Sequence, residues 1–145
     1  MGWRWRKANR FEDMREHWDY AIENVGKVEV RSIKCARRGG KPDPSLFYFE
    51  TKCVGGGKGW LYGHADWIAL QQEEMPKANF VMLKRDALVH WCEEKSLAGG
   101  FTVASHSGIK GTRWSRPGRG DEVLVADRGE VLRALAPQDI LWVGL

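Results

Sequence analysis

Two acidic residues and one arginine stand at spacings that suit metal-assisted chemistry. Asp19 lies ten positions before Glu29 in the alternating run Val28-Glu29-Val30-Arg31. In a strand, alternation sends the two valines to one face and Glu29 and Arg31 to the other. Paired carboxylates are stable when a cation neutralises them, and Mg²⁺ or Mn²⁺ prefers such oxygen ligands. The pattern indicates a metal site for phosphodiester hydrolysis, although an exposed Glu/Arg pair is also an ordinary surface feature.

Basic residues are segregated along the chain in a way that favours a polyanionic partner. Residues 1–41 carry 11 Lys and Arg against 6 Asp and Glu, and residues 95–119 carry 5 against none. Such side chains bind phosphates with release of counterions, so nucleic acid is the expected partner, with a merely solvated basic face as the alternative. The candidate phosphate-binding residues are Arg37, Arg38, Lys41, Arg113, Arg116 and Arg119.

Length and composition exclude several classes of protein. The chain has 145 residues, 43% of them hydrophobic and 29% charged, with a mean hydropathy of −0.48. These values predict one globular domain over 1–145. Within it we expect a core at about 1–95 and a C-terminal β extension at about 96–145. Uncharged runs are far shorter than a membrane span, and no secretory signal is readable, so we expect a cytoplasmic protein without a membrane partner. Three cysteines at unrelated spacings predict reduced thiols.

The elements that must position the candidate residues are short and separated by glycine and proline. A hairpin turning at residues 24–26 is expected to bring Asp19 near Glu29. A helix is predicted over residues 85–95, with Asp86 as its cap, and a second hairpin around residues 127–129. The predicted strands cover residues 3–6, 18–23, 27–35, 46–53, 66–72, 79–84, 122–126, 131–135 and 137–143. The result is an α+β layout with a sheet of about six strands and one or two helices.

Asp19 together with Glu29-Val30-Arg31 resembles the PD-(D/E)xK signature of restriction enzymes and of phage and archaeal junction resolvases. The resemblance covers about residues 1–90, with a weaker echo at 116–119. It implies a restriction-endonuclease-like mixed central sheet and a Mg²⁺-dependent DNA endonuclease acting on branched or phage DNA. Further segments resemble phage and bacterial members of that superfamily: Glu12-Asp13-Met14, Glu16-His17-Trp18-Asp19-Tyr20, Phe49-Glu50 and Gly59-Trp60-Leu61-Tyr62-Gly63-His64-Ala65-Asp66.

The resemblance also implies roles for individual residues. Asp19 and Glu29 correspond to the metal ligands, and the third position of the signature is a lysine that positions or deprotonates the attacking water. Here that position is Arg31, which orients water or stabilises phosphate charge but stays protonated and cannot act as a base. Lys52, expected on the same face as Glu50 in a neighbouring strand, is the candidate for the missing amine, with Glu50 assisting.

A rival register of the same signature lies further along the chain. Pro42-Asp43 followed by Glu50-Thr51-Lys52 spells the signature literally, but Asp43 lies between two prolines, so this register ranks second. Members of the family commonly open with a helix that contributes an acidic residue, and we expect that contribution to be missing here. Related resolvases act as dimers, which leaves a homodimer open.

Two functions from other classes remain as alternatives to the nuclease. One is a non-catalytic nucleic-acid-binding or phage accessory protein that keeps the nuclease fold. The other is a protein-binding module or inhibitor with a basic surface. Trp60, Tyr62 and Trp67 are candidates for stacking on unpaired bases, although such residues more often belong to a core.

Overall fold

Two β-sheets and two α-helices account for the described part of the chain in this computed structural model. The structure describes residues 4–33, 41–73, 79–104 and 108–144. The strands are β1 Trp5–Lys7, β2 Tyr20–Ile22, β3 Gly26–Arg31, β4 Leu46–Lys52, β5 Trp67–Gln71, β6 Asn79–Lys84, β7 Thr102–Ala104, β8 Thr112–Trp114, β9 Glu122–Asp127 and β10 Ile140–Gly144. The helices are α1 Arg85–Leu97 and α2 Arg128–Ala134, with a π-helical turn at Glu12–Glu16 and 3-10 turns at Trp60–Tyr62 and Pro137–Asp139.

The larger sheet is mixed and has the order β1-β2-β3-β5-β6-β10. Its strands β1, β2 and β3 form an antiparallel meander, β3 pairs in parallel with β5, and β6 is antiparallel to both β5 and β10. Strands β5 and β6 are covered on both faces, which fits their nearly continuous apolar runs. The predicted α+β class and the six-stranded sheet are confirmed.

The smaller sheet has the order β4-β9-β8-β7 and was not predicted as a separate sheet. Strand β4 is antiparallel to β9, so residues from the middle of the sequence pair with residues near its end. The segment expected as a C-terminal extension is therefore interleaved with the rest, since it supplies β7 to β9 here and β10 in the larger sheet.

One hydrophobic cluster joins both sheets and both helices. It includes Phe47 and Phe49 of β4, Ile68 and Leu70 of β5, and buried residues of the helices such as Leu88, Cys92 and Val131. A smaller cluster around Val28, Ala69 and Met82 covers the opposite face of the larger sheet. The face of β3 that looks toward the larger cluster is therefore the inner face of the protein.

Two predictions that concern the helices need correction, one about a cap residue and one about a hairpin. The first helix is found where predicted, but Asp86 makes no capping hydrogen bond and instead pairs with Arg85 at 2.9 Å. The second predicted hairpin is wrong because residues 128–134 form α2. The side chain of Asp127 accepts a hydrogen bond from the Gly129 N–H at 3.2 Å, which caps this helix. Val131 and Leu135 are buried at helical spacing.

Candidate functional site

Strand β3 sends Glu29 and Arg31 to the inner face of the larger sheet. In the parallel register, Glu29 lies beside Ile68 and Arg31 lies beside Leu70, and both of these β5 residues belong to the larger core cluster. Val28 and Val30 face the other way, and Val28 is buried in the smaller cluster. The alternation of β3 thus places an acidic and a basic side chain against the protein interior.

Asp19 reaches β3 from the end of the neighbouring strand. Its Oδ2 accepts a hydrogen bond from the Val30 N–H at 2.6 Å, and its own N–H donates to the Val28 carbonyl at 2.8 Å. The predicted hairpin is present, with Tyr20 opposite Val28, so Asp19 lies just beyond the paired residues. The Asp19 carboxylate is therefore held on the backbone next to Glu29.

Glu29 is 2% exposed, and only one of its two carboxyl oxygens has a hydrogen-bond partner among the described residues. Its Oε1 accepts a hydrogen bond from the Arg31 guanidinium, whereas Oε2 has no hydrogen-bond partner among the described residues. Burial raises the pKa of Glu29 to about 7, against the lowering effect of Arg31. The charges of Asp19 and Asp13 raise the pKa of Glu29 further.

The contribution of Asp13 was not expected from the sequence. No helix before the first strand was predicted, and an acidic residue from that region was expected to be missing. Asp13 belongs instead to the π-helical turn after β1, and its charge contributes to raising the pKa of Glu29.

Arg31 is held in place from two sides. Its guanidinium pairs with Glu29 and lies 4.9 Å from the centre of the Trp60 ring, while about a third of its side chain remains exposed. A guanidinium stays protonated, so Arg31 neutralises and orients the Glu29 carboxylate but cannot act as a base.

Glu50 was expected on a strand adjacent to β3. It lies instead in β4 of the smaller sheet. Its Oε1 accepts a hydrogen bond from the Trp60 N–H at 3.3 Å. Trp60 therefore stands between Glu50 and Arg31, and all three line one cavity. Packing of the smaller sheet against the larger one brings Glu50 to this cavity.

Lys52 does not share the face of Glu50, which corrects the expectation that it could supply the missing amine beside Glu50. A β-bulge falls between the two residues, so Glu50 pairs with Val123 while Lys52 pairs with Glu122. Consecutive partners on β9 point to opposite faces, and Lys52 accordingly lines a different pocket from Glu50.

The aspartate of the rival signature forms its hydrogen bonds within its own turn. The carboxylate of Asp43 accepts hydrogen bonds from the Ser45 hydroxyl at 2.6 Å and the Ser45 N–H at 2.9 Å. These bonds keep the pKa of Asp43 below its ordinary value and commit the side chain to a turn.

Asp19 and Glu29 offer carboxylate oxygens of the kind that hold a divalent cation. Within the described ranges, no three His, Cys, Asp or Glu residues are gathered closely enough to enclose a metal ion. Magnesium is commonly bound by one or two carboxylates together with water and substrate phosphate, so a full protein cage is not required. The buried Oε2 of Glu29, which lacks a partner among the described residues, is the atom that a cation would satisfy.

The predicted phosphate-binding residues have different environments. Arg113 pairs with Glu122 at 3.3 Å and Arg116 pairs with Asp121 at 2.7 Å, so both are partly neutralised. Lys41 and Arg119 are exposed. Arg37 and Arg38 lie outside the described residues.

The segment 59–66 contacts several of the elements that carry the candidate site residues. A Cβ on Gly59 would come within 2.8 Å of the Glu50 Cγ, and one on Gly63 would come within 2.6 Å of the His17 Cβ. Both glycines therefore permit close approach to elements that carry acidic residues. Asp66 accepts a hydrogen bond from the Lys27 N–H at 2.8 Å, which anchors the start of β3.

A cavity of about 310 Å³ opens between the two sheets next to this site. Arg31, Glu50 and Trp60 line one part of it. Trp114 of β8 and Asp121, which precedes β9, line another part. Neither of the last two was predicted, because nothing in their local sequence pattern relates them to β3.

None of the described helices is both long and apolar enough to span a bilayer. No family model matches this chain, and searches of curated proteins and of solved structures likewise give no match. The function must therefore be inferred from the residues themselves.

Proposed function

We propose that this chain is a divalent-metal-dependent endonuclease that hydrolyses phosphodiester bonds in DNA. The observation that carries the proposal is the buried carboxylate of Glu29, which has Arg31 on one oxygen, no partner on the other among the described residues, and Asp19 beside it. A cation stabilises such a pair of carboxylates. The resemblance to the PD-(D/E)xK signature points to the same chemistry.

The residues have separate roles in this proposal. Asp19 and Glu29 hold Mg²⁺ or Mn²⁺, which, when bound, stabilises developing phosphate charge and lowers the pKa of water. Arg31 fixes the orientation of Glu29, and its exposed part is available to a phosphate oxygen. Glu50 fixes Trp60 by accepting a hydrogen bond from its backbone N–H. The Arg31 guanidinium lies over the ring of the same tryptophan.

A second candidate is a DNA-binding protein without catalytic activity. One observation favours it: Arg31 stands where the signature has lysine, and a guanidinium cannot act as a base. Binding would then depend on the basic residues and not on the carboxylates.

Cleavage assays separate these candidates. Supercoiled, branched, single-stranded and duplex DNA are incubated with the protein in Mg²⁺, Mn²⁺ or EDTA. We expect metal-dependent cutting that is lost in Asp19→Asn and kept in Glu23→Gln, whose exposed side chain pairs with Arg4 at 3.7 Å. Cutting that persists in Asp19→Asn contradicts the nuclease assignment.

The same assay has two other informative results. Salt-sensitive DNA binding without cutting supports the non-catalytic candidate. Absence of DNA affinity at low salt refutes both and favours a protein-binding module or inhibitor.

A further inference from the structure

Several residues that line the cavity between the sheets have a polar atom that lacks a partner within the described residues. Among these atoms are Oδ1 of Asp121, Oε1 of Gln72, Nε1 of Trp114 and Nε of Arg31, and each is buried. Asp121 is only 6% exposed. Buried polar groups normally form hydrogen bonds, so these atoms indicate an occupant that offers both donors and an acceptor.

The charges around the cavity favour a neutral occupant. Arg31 is paired with Glu29, and Arg116 donates from Nε to Oδ2 of Asp121 at 2.7 Å. Glu50 adds a further carboxylate to the wall. The two arginines and the two carboxylates that line the cavity balance in formal charge, so a neutral occupant needs no counter-charge.

The walls favour a flat occupant of moderate size. Two tryptophans, Trp60 and Trp114, line the cavity together with the apolar residues Leu46, Leu70 and Val123. The volume of about 310 Å³ lies in the range of small-molecule sites. A nucleobase is flat and neutral and has N–H donors beside acceptors at its edges.

We propose that this cavity receives an unpaired nucleobase. Arg31 lines the cavity and also pairs with Glu29, so a base bound there has its adjoining phosphate on the side of the candidate carboxylates. The inference deepens the proposed nuclease function and rests on it for the consequence: the preferred substrate is single-stranded or locally unpaired DNA. Binding of the base itself rests on the cavity.

The test compares DNA strands that differ in one base. A labelled ten-nucleotide thymidylate strand and the same strand with one abasic position per molecule are titrated with the protein in EDTA, with fluorescence anisotropy as the readout. Since stacking of a base on an aromatic side chain strengthens binding substantially, we expect the best-placed abasic position to weaken binding by about tenfold.

Two tryptophan variants assign this preference to the cavity. Trp114→Phe keeps an aromatic wall and removes the N–H donor, so it should reduce the preference for the intact strand while leaving abasic affinity unchanged. Trp142→Phe, at a 61% exposed position of β10, should keep the preference. Unchanged abasic affinity also shows that the variant is folded.

The outcomes distinguish this inference from the nuclease proposal. Equal affinity for both strands at every abasic position overturns the base cavity, whereas metal-dependent cleavage of the same DNA still supports the nuclease. If neither strand binds, titration with thymidine decides the matter. Quenching of tryptophan fluorescence that is weakened by Trp114→Phe supports the cavity without the nuclease, and absence of quenching overturns it.

Discussion

Glu29 carries a carboxyl group at a position where its ionisation opposes folding. Its pKa is raised to about 7 in the folded protein, compared with an ordinary value near 4.5. The cost of burying the charge is absent below the ordinary pKa and fully present above the folded pKa. Linkage predicts that Glu29 lowers the free energy of unfolding by about 3 kcal/mol as pH rises through this window.

Glu29→Gln should remove this pH dependence. The free energy of unfolding of the variant minus that of the unsubstituted protein is expected to rise by about 3 kcal/mol from pH 4.5 to pH 8. Urea unfolding at several pH values without metal measures the difference. Glu23→Gln on the exposed surface should show a nearly constant difference. A constant difference for Glu29→Gln would show that its carboxyl group is not perturbed.

A divalent cation should stabilise the folded protein through the same carboxylates. At pH 8, Mn²⁺ is expected to raise the melting temperature, with a free-energy gain of about 2.7 kcal/mol at a hundred times the dissociation constant. Asp19→Asn and Glu29→Gln should lose this gain, and Glu23→Gln should keep it. A metal-dependent shift that survives both changes would place the ion elsewhere.

Replacing Arg31 with lysine tests whether the arginine limits activity. Arg31→Lys keeps the positive charge beside Glu29 and introduces an amine that can lose a proton when partly buried. We expect cleavage of supercoiled DNA at pH 8 to accelerate about tenfold or more, because general acid–base contributions are commonly of that size or larger. Arg31→Gln serves as the comparison and should cleave more slowly than the unsubstituted protein.

At the scale of elements, the sequence predicted the structures that depend on neighbouring residues, such as hairpins and helices, better than it predicted long-range pairing. The β2 and β3 hairpin follows from alternation and from the turn at residues 24–26. The helix α2 was mistaken for a strand, although Asp127 as a cap and Glu130 three positions later form a helix-start signal. The apolar run that follows suits either structure, and the cap decides between them.

Glycine at position 59 is predicted to be necessary for the approach of the 3-10 turn to β4. In Gly59→Ala the new Cβ would clash with the backbone and Cγ of Glu50, so we expect a loss of about 1–3 kcal/mol in the free energy of unfolding. Gly55→Ala is the matched control, because nothing lies within 4 Å of a Cβ there. Denaturant unfolding measures both; equal stability of the two variants would contradict the close packing.

At the scale of the whole molecule, the candidate site depends on contacts that the sequence does not display. The hairpin, which the sequence predicted, brings Asp19 next to the strand that carries Glu29 and Arg31. Glu50 and Asp121 come to the same cavity through pairing of β4 with β9, which joins distant parts of the chain. No local periodicity predicts how two sheets pack, so the cavity could not be foreseen.

DNA binding should depend on exposed cations more than on paired ones. Lys41→Ala combined with Arg119→Ala is expected to lower the slope of log affinity against log salt by about 0.9 for each phosphate that the protein no longer neutralises. Lys84→Ala, at an exposed site outside the basic stretches, is the control. Titrations between 50 and 200 mM salt, the range over which this effect is large, measure the slopes. An unchanged slope in the double variant would exclude both residues from the interface.

Strand β10 completes one side of the larger sheet beside β6, although residues 85–139 separate the two strands in sequence. During synthesis on a ribosome, β6 emerges well before its partner and leaves a row of apolar residues with unpaired backbone groups. Such a growing chain is prone to associate with its neighbours on a polysome. Slower translation after residue 84 would prolong that exposure, so the yield of native protein should fall when rare codons are placed there.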